Sequence, residues 1–304
     1  MPDSAILRLL EKIPAVSTVC DCDMRLYTSF KAGGKASVLI APNGIGELRQ
    51  VLAALSQSGI GYMVIGNGTN ILVSDNGYRG AIVKIGEAFS WIEAADCRLV
   101  VGAGASMAAA AKAALAAGLA GLEFASGIPG SVGGAVFMNA GAYGSEMKDV
   151  VSRVDIISKD GQQGYKLSSE DMSFSYRHSS LQDAEDVITG ATFELEYGDT
   201  GKIKEKMREF AELRNSKQPV SMPSAGSFFK RPSGHFAGKL IEDCGLKGLS
   251  VGGASVSALH AGFIVNNGNA TATDIIDLMN LVRHTVYDKF AVKLEPEVRV
   301  IGGM

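Results

Sequence analysis

Three short stretches carry side chains whose type and setting could do chemistry. Arg177 lies just after Phe174 and Tyr176, and its planar guanidinium could fork onto a carboxylate. Ser227 follows Gly226 and precedes Phe228 and Phe229. Two large apolar neighbours are odd for a solvated turn and suit a hydroxyl aimed into a dry site. Over residues 292–301, read as a closing strand, alternation sets Glu295, Glu297 and Arg299 on one face. Leu294, Val298 and Val300 take the other. The plain reading of the charged face is solvent. Arg214 falls three residues beyond Ala211 on the apolar stripe of a helix, so it either snorkels or reaches a ligand anion. His178, His235, His260 and His284 are scattered, and nothing completes Cys20 and Cys22 as a zinc site. No metal is expected.

Glycine points to a ligand. The chain has 37 among 304 residues, above the usual ~7%, and they cluster. Residues 127–144 hold Gly127, Gly130, Gly133, Gly134, Gly141 and Gly144, punctuated by Pro129 and Asn139, which rules out an ordinary helix or strand interior. Such a loop exposes successive backbone N–H groups, which make concave anion sites. A second cluster, Gly66, Asn67, Gly68, Thr69 and Asn70, follows a strand-like run and suits a pyrophosphate. Two phosphate loops suggest a dinucleotide. The site is not of the Rossmann kind, because Met107 occupies the place of the third small residue after Gly102 and Gly104. Nor is it a P-loop, since residues 234–240 have the wrong spacing and no Ser or Thr follows Lys239.

The elements that must position these residues can be read from pattern. Strands are expected at 39–40, 62–65, 81–83, 98–101, 150–158 and 187–197, each an apolar run bounded by breakers. Helices are expected at 45–58, at 107–117 behind the cap Ser106, and beyond Gly198 with Ile203, Met207, Phe210 and Ala211 on one face. Another starts at Thr271, whose capping box with Asp274 precedes the stripe Ile275, Leu278, Met279, Val282 and Val286. The fold class is α+β, with one domain over 1–198 that includes an N-terminal helix and a smaller α/β domain over 199–304. A net charge of −3 offers no footprint for nucleic acid. No signal-like or membrane-spanning run stands out, so a cytoplasmic protein without an obligatory protein partner is expected.

Taken together, these segments closely resemble the UDP-N-acetylenolpyruvoylglucosamine reductase family. The resemblance rests on residues 30–34, 66–70, 127–134, 139–143, 176–177, 226–229, 237–241 and 297–299, eight motifs in family order. It implies an FAD-binding domain of the vanillyl-alcohol-oxidase type, built of two α/β subdomains, followed by a substrate domain. It implies non-covalent FAD, NADPH as co-substrate and a sugar-nucleotide substrate. By analogy, residues 66–70 and Gly127, Ile128, Pro129, Gly130, Ser131, Gly133 and Gly134 cradle the cofactor's pyrophosphate, with Asn139, Ala140 and Gly141 near the flavin. Arg177, Ser227 and Glu297 match the catalytic positions, and Tyr176, Arg214, Lys230 and Arg299 the substrate-contacting ones. The resemblance gives Arg177 the charge developing on the substrate carboxylate, and Ser227 the proton for the neighbouring carbon. Glu297 helps either as a protonated donor or by orienting Arg177.

The short interval from Arg177 to Phe193 marks the short form of the family. Arg231 and Gly262 stand where Asn is more usual. Two other readings compete. One is an FAD-dependent oxidase of an alcohol or hydroxy acid in the same superfamily, although neither glycine loop has the His or Cys of a covalent flavin tether. The other is a non-catalytic nucleotide-binding module, which would have lost Arg177, Ser227 or Glu297.

Overall fold

The computed structural model describes Ile6, Arg8, Leu9, Ile13 and residues 16–303. Of the expected N-terminal helix only Ile6, Arg8 and Leu9 are described, and they are helical; the rest falls outside the described residues. The helices of the described chain are α1 (Ile45–Gln57), α2 (Met107–Ala116), α3 (Val132–Phe137), α4 (Leu181–Ala184), α5 (Thr200–Lys217), α6 (Ala237–Asp243) and α7 (Ala272–Phe290). The chain forms two compact units that interleave along the sequence. One comprises Met1–Cys20, Val38–Asn67 and Gly80–Leu213; the other comprises Asp21–Ser37, Gly68–Arg79 and Arg214–Met304.

The first unit is built on two sheets. In one, the strand order is Val16–Asp23, Lys35–Pro42, Tyr78–Lys84, Tyr62–Ile65. Its last two strands run parallel, with Tyr62 opposite Ala81 and Ile65 opposite Lys84. Helix α1 buries Leu48, Val51, Leu52 and Leu55, the i, i+3, i+4, i+7 spacing of one helical face. The other sheet has five antiparallel strands in the order Gly164–Ser168, Val151–Ile157, Val187–Glu194, Arg98–Gly102, Ile92–Ala95. Helix α2 starts where its cap predicts: Ser106 Oγ accepts the N–H of Ala109 at 3.1 Å. It buries Ala110, Ala111 and Ala114, small enough for close backbone packing.

The second unit packs α7 with a three-stranded antiparallel sheet, Ser250–Val251, Ala254–Val256 and Ile264–Asn266. The capping box holds, with Asp274 N–H donating to Thr271 Oγ1 and Thr271 N–H to Asp274, both at 3.0 Å. All five stripe residues of α7 are buried. Asp75 adds a second clasp, accepting the N–H groups of Ala272 and Thr273 and the Thr273 hydroxyl. The strand Ile71–Val73 runs parallel to Arg299–Ile301.

Three expectations need correction. The glycine-rich stretch 127–144 does contain a helix interior, since α3 runs through Gly133 and Gly134 behind the cap Ser131. The last strand does not span 292–301 but only Arg299–Ile301. Pro296 has no N–H to give a ladder, and the segment before Arg299 is irregular apart from one bridge between Pro296 and Phe229. On α5, Ile203 is buried and Met207 and Phe210 partly so, but Ala211 is exposed. The helix meets the core from Ile203 to Phe210, so the stripe read from its sequence is longer than the face it buries.

Candidate functional site

Arg177 occupies the tip of a tight turn in the first unit. Ser175 and His178 exchange both backbone hydrogen bonds, each 3.1 Å, leaving Tyr176 and Arg177 as the two central residues. Arg177 has φ +57, a left-handed conformation that costs a non-glycine residue roughly 1–3 kcal/mol. The surroundings hold it there through side chains. Gln182 Nε2 donates to the carbonyls of Arg177 and Phe137, both at 3.0 Å. Ser179 Oγ donates to the same Phe137 carbonyl at 2.7 Å. Buried Asn139, itself left-handed at φ +42, donates to Ser175 O at 3.0 Å and to Glu146 at 2.9 Å. The Arg177 guanidinium carbon lies 5.2 Å from the centroid of the Tyr176 ring, within cation–π range. In the same unit Tyr143 stacks on Phe210, centroids 4.3 Å apart, and its hydroxyl donates to Phe210 O.

Of the glycine segments, 127–134 and Gly66 with Asn67 belong to the first unit. A β-carbon on Gly66 would collide with Ser131 Oγ, so glycine there lets the two segments touch. Ser131 caps α3 by accepting the N–H of Gly134. The N–H groups of Val132 and Gly133 donate to Ala105 and Ala103. The start of α3 is thus stitched to the 103–105 segment by the very groups that composition marks as an anion nest.

Gly68, Thr69 and Asn70 belong to the second unit. Gly68 has φ +62, and its carbonyl accepts the N–H of Ser29. Beside it Thr28 is buried, and its hydroxyl has no hydrogen-bond partner among the described residues. A hydroxyl without a partner next to a glycine turn fits a phosphate oxygen, so the residues present suit a dinucleotide. Asn70 instead braces the C-terminal segment. Its side-chain amide donates to Glu297 O at 3.2 Å, and its carbonyl accepts the N–H of Arg299 at 3.1 Å.

Ser227 and Glu297 are brought onto adjacent segments in the second unit largely by backbone bonds. The segment 226–230 is laced on both sides. Phe228 N–H donates to Gly262 O at 2.8 Å, Glu297 N–H to Phe228 O at 2.8 Å, and Lys230 N–H to Glu295 O at 2.9 Å. Phe228 and Phe229 turn inward, at 0% and 4% exposure, while Ser227 is exposed. The two phenylalanines therefore anchor the segment rather than enclose the hydroxyl. Glu297 is half-buried and Arg299 exposed, while Leu294 and Val298 are buried. Lys230 pairs with Glu295 at 3.8 Å. Arg214, half-buried in the last turn of α5, opens the final stretch of the second unit. Burial pushes the His260 imidazole below its usual pKa, and its Nδ1 accepts the N–H of Gly262.

Sequence reasoning missed Gln182, Ser179 and Glu146, since no local pattern distinguishes them from surface polar residues. Among the described residues, no group of three or more His, Cys, Asp or Glu is placed to hold a metal ion, and no helix is long and apolar enough to cross a membrane.

Residues 36–163 match the model of an FAD binding domain, and residues 218–301 match that of the UDP-N-acetylenolpyruvoylglucosamine reductase C-terminal domain. The UDP-N-acetylenolpyruvoylglucosamine reductase of Caldanaerobacter subterraneus subsp. tengcongensis is 49% identical over 92% of each chain. That of Latilactobacillus sakei is 45% identical over 98% of each. Among solved structures, the UDP-N-acetylenolpyruvylglucosamine reductase (MurB) from Thermus caldophilus superposes with TM-score 0.80 at 34% identity, covering 94% of this chain and 99% of that one. Wild-type Phl p 4.0202, a glucose dehydrogenase, matches with TM-score 0.50 and 14% identity over 65% of this chain and 45% of its own. At that identity the likeness is one of fold, that of the vanillyl-alcohol-oxidase type of flavin domain.

Proposed function

The chain belongs to the UDP-N-acetylenolpyruvoylglucosamine reductase family and is a flavin-dependent oxidoreductase of peptidoglycan precursor synthesis; from that premise we propose how its own residues act. It reduces UDP-N-acetylglucosamine enolpyruvate to UDP-N-acetylmuramate, with NADPH as the electron source in our reading. FAD, held non-covalently, would supply hydride chemistry for reduction of the enolpyruvyl group. Residues 1–198 serve the cofactor and 199–304 the substrate, in the cytoplasm.

Negative charge builds on the substrate carboxylate as the hydride adds. Arg177 meets it with preorganised N–H groups, its turn already in the conformation required. Ser227 gives its hydroxyl proton to the adjacent carbon. An alcohol is a weak acid in water, so this step needs bound substrate to cover the exposed Ser227. Glu297 acts in its protonated form as a hydrogen-bond donor, because an ionised carboxylate beside the substrate's would repel it. Tyr176, Arg214, Lys230 and Arg299 bind the substrate. Residues 66–70 and 127–134 hold the cofactor's phosphates, with Asn139, Ala140 and Gly141 near its ring.

The observation that carries this reading is the lacing of Phe228 to Glu297, which sets a hydroxyl and a carboxyl on adjacent segments without relying on either side chain. Heat or acid treatment of the purified protein should release a yellow, FAD-sized chromophore. The native enzyme should then form one UDP-N-acetylmuramate per NADPH consumed. Rapid peroxide formation from a simple alcohol would move the assignment to the oxidase reading.

A further inference from the structure

The strand Tyr78–Lys84 ends on an unusual residue. Ala81, Ile82 and Val83 are all fully buried, and the next position is a lysine, half-buried, opposite Ile65 in the parallel pair. One residue past Ile65 the chain enters the first glycine segment. Lys84 Nζ donates to the carbonyl of Gly66 at 3.1 Å. Among the described residues no carboxylate pairs with it, and burial alone pushes its pKa below the usual lysine value. Gly66 in turn lies against Ser131 of the second glycine segment. The ammonium is therefore held where the two segments meet, on the first unit only.

An ammonium has three donors, and one carbonyl satisfies one of them. A partly desolvated cation without a counter-ion costs folding free energy. Its retention at a glycine junction calls for an anion that arrives later. We infer that Lys84 is a cofactor-binding residue, its charge placed to neutralise the diphosphate bridge of FAD beside Gly66 and Ser131. The inference rests on the reading that these segments hold FAD. A fixed positive charge there adds strength to hydrogen bonding by neutral backbone N–H groups, because charge-assisted contacts to phosphate are roughly twice as strong as neutral ones. The bland role for Lys84 is to fasten the Gly66 carbonyl and so shape the turn.

Flavin-fluorescence titration of the cofactor-free protein separates the two. Lys84→Gln can still donate to Gly66 O but carries no charge, and Lys84→Met can do neither. Both variants should bind FAD about tenfold or more weakly, the loss of one charge-assisted contact. Their affinity should fall less steeply with added salt than the wild-type's, since a charge pair has been removed. The cofactor-free Lys84→Met protein should melt no lower than wild type, because a cation without a counter-ion has gone. Lys84→Arg should keep the wild-type salt dependence. The inference is overturned if Lys84→Gln binds FAD within twofold of wild type, or binds weakly with an unchanged salt dependence. A wild-type protein that takes up no FAD would instead sink the cofactor reading of the glycine segments themselves.

Discussion

The Arg177 turn and the Ser227 segment present their functional groups with different shares of side-chain and backbone bracing. Arg177 is strained and left-handed, in a turn closed by the Ser175–His178 backbone pair and braced by the side chains of Gln182, Ser179 and Asn139. Ser227 follows the left-handed Gly226 in an irregular segment whose next residues are fixed by backbone bonds to Gly262, Glu295 and Glu297. At Arg177 the side chains brace a turn that the Ser175–His178 backbone pair closes, because a left-handed non-glycine residue costs more than the pair alone offsets. The cost is sensitivity. Single substitutions away from Arg177 can release it, whereas substitutions around Ser227 leave its backbone bonds in place.

The largest expected effect tests the backbone-held side. Ser227→Ala should leave NADPH-dependent flavin reduction nearly intact while slowing flavin reoxidation by enolpyruvyl substrate ~10²–10⁴-fold, the range for losing one general acid. Stopped-flow measurement of the two half-reactions reads this directly. An oxidative half-reaction at wild-type speed would remove Ser227 from the chemistry. Cysteine at the same position can still donate a proton and should recover part of the rate.

A smaller loss tests the clamp. Gln182→Ala removes a donor to both Arg177 O and Phe137 O, and the turn should relax from its left-handed state. Misplacing a catalytic group by about 1 Å can cost ~10²-fold, and partial release by one of several clamps should cost roughly tenfold. The loss should fall on flavin reoxidation by substrate, with FAD affinity unchanged. Equal loss in both half-reactions would mean a general weakening of the fold and would break the contrast between the two regions.

The smallest effect concerns the frame of the second unit. Burial raises the Asp75 pKa, but hydrogen bonds from the Thr273 hydroxyl and the Ala272 and Thr273 N–H groups outweigh it and hold the group below the usual carboxylate value. Asp274 is lowered too, chiefly by the N–H groups of Thr271 and Gly253. A carboxylate whose pKa is lower folded than unfolded stabilises the native state above its unfolded value of about 3.9 and loses that contribution as pH falls through the folded one. Melting temperatures should therefore drop below about pH 4. Asp75→Ala should cost about 1 kcal/mol at neutral pH, comparable to a lost helix cap, and should flatten the acid limb. A limb as steep as wild type's would exclude Asp75 as a contributor.

Sequence alone determined the elements whose signals are local. The caps Ser106 and Thr271 with Asp274, the stripe of α7 and the strand at Tyr62–Ile65 all follow from periods and breakers within one turn or a few residues. The glycine segments and the positions of Arg177, Ser227 and Glu297 stood out by composition and by family motif. Their surroundings did not. Ser131 meets Gly66, Gln182 holds Arg177 through its carbonyl, Asn70 fastens Glu297 from 227 residues away, and Lys84 reaches the first glycine segment. Each of these is a steric or hydrogen-bonded contact between segments that become neighbours only after folding. A polar side chain carries no mark of its distant partner, so only the tertiary structure could decide which residues position and which are positioned.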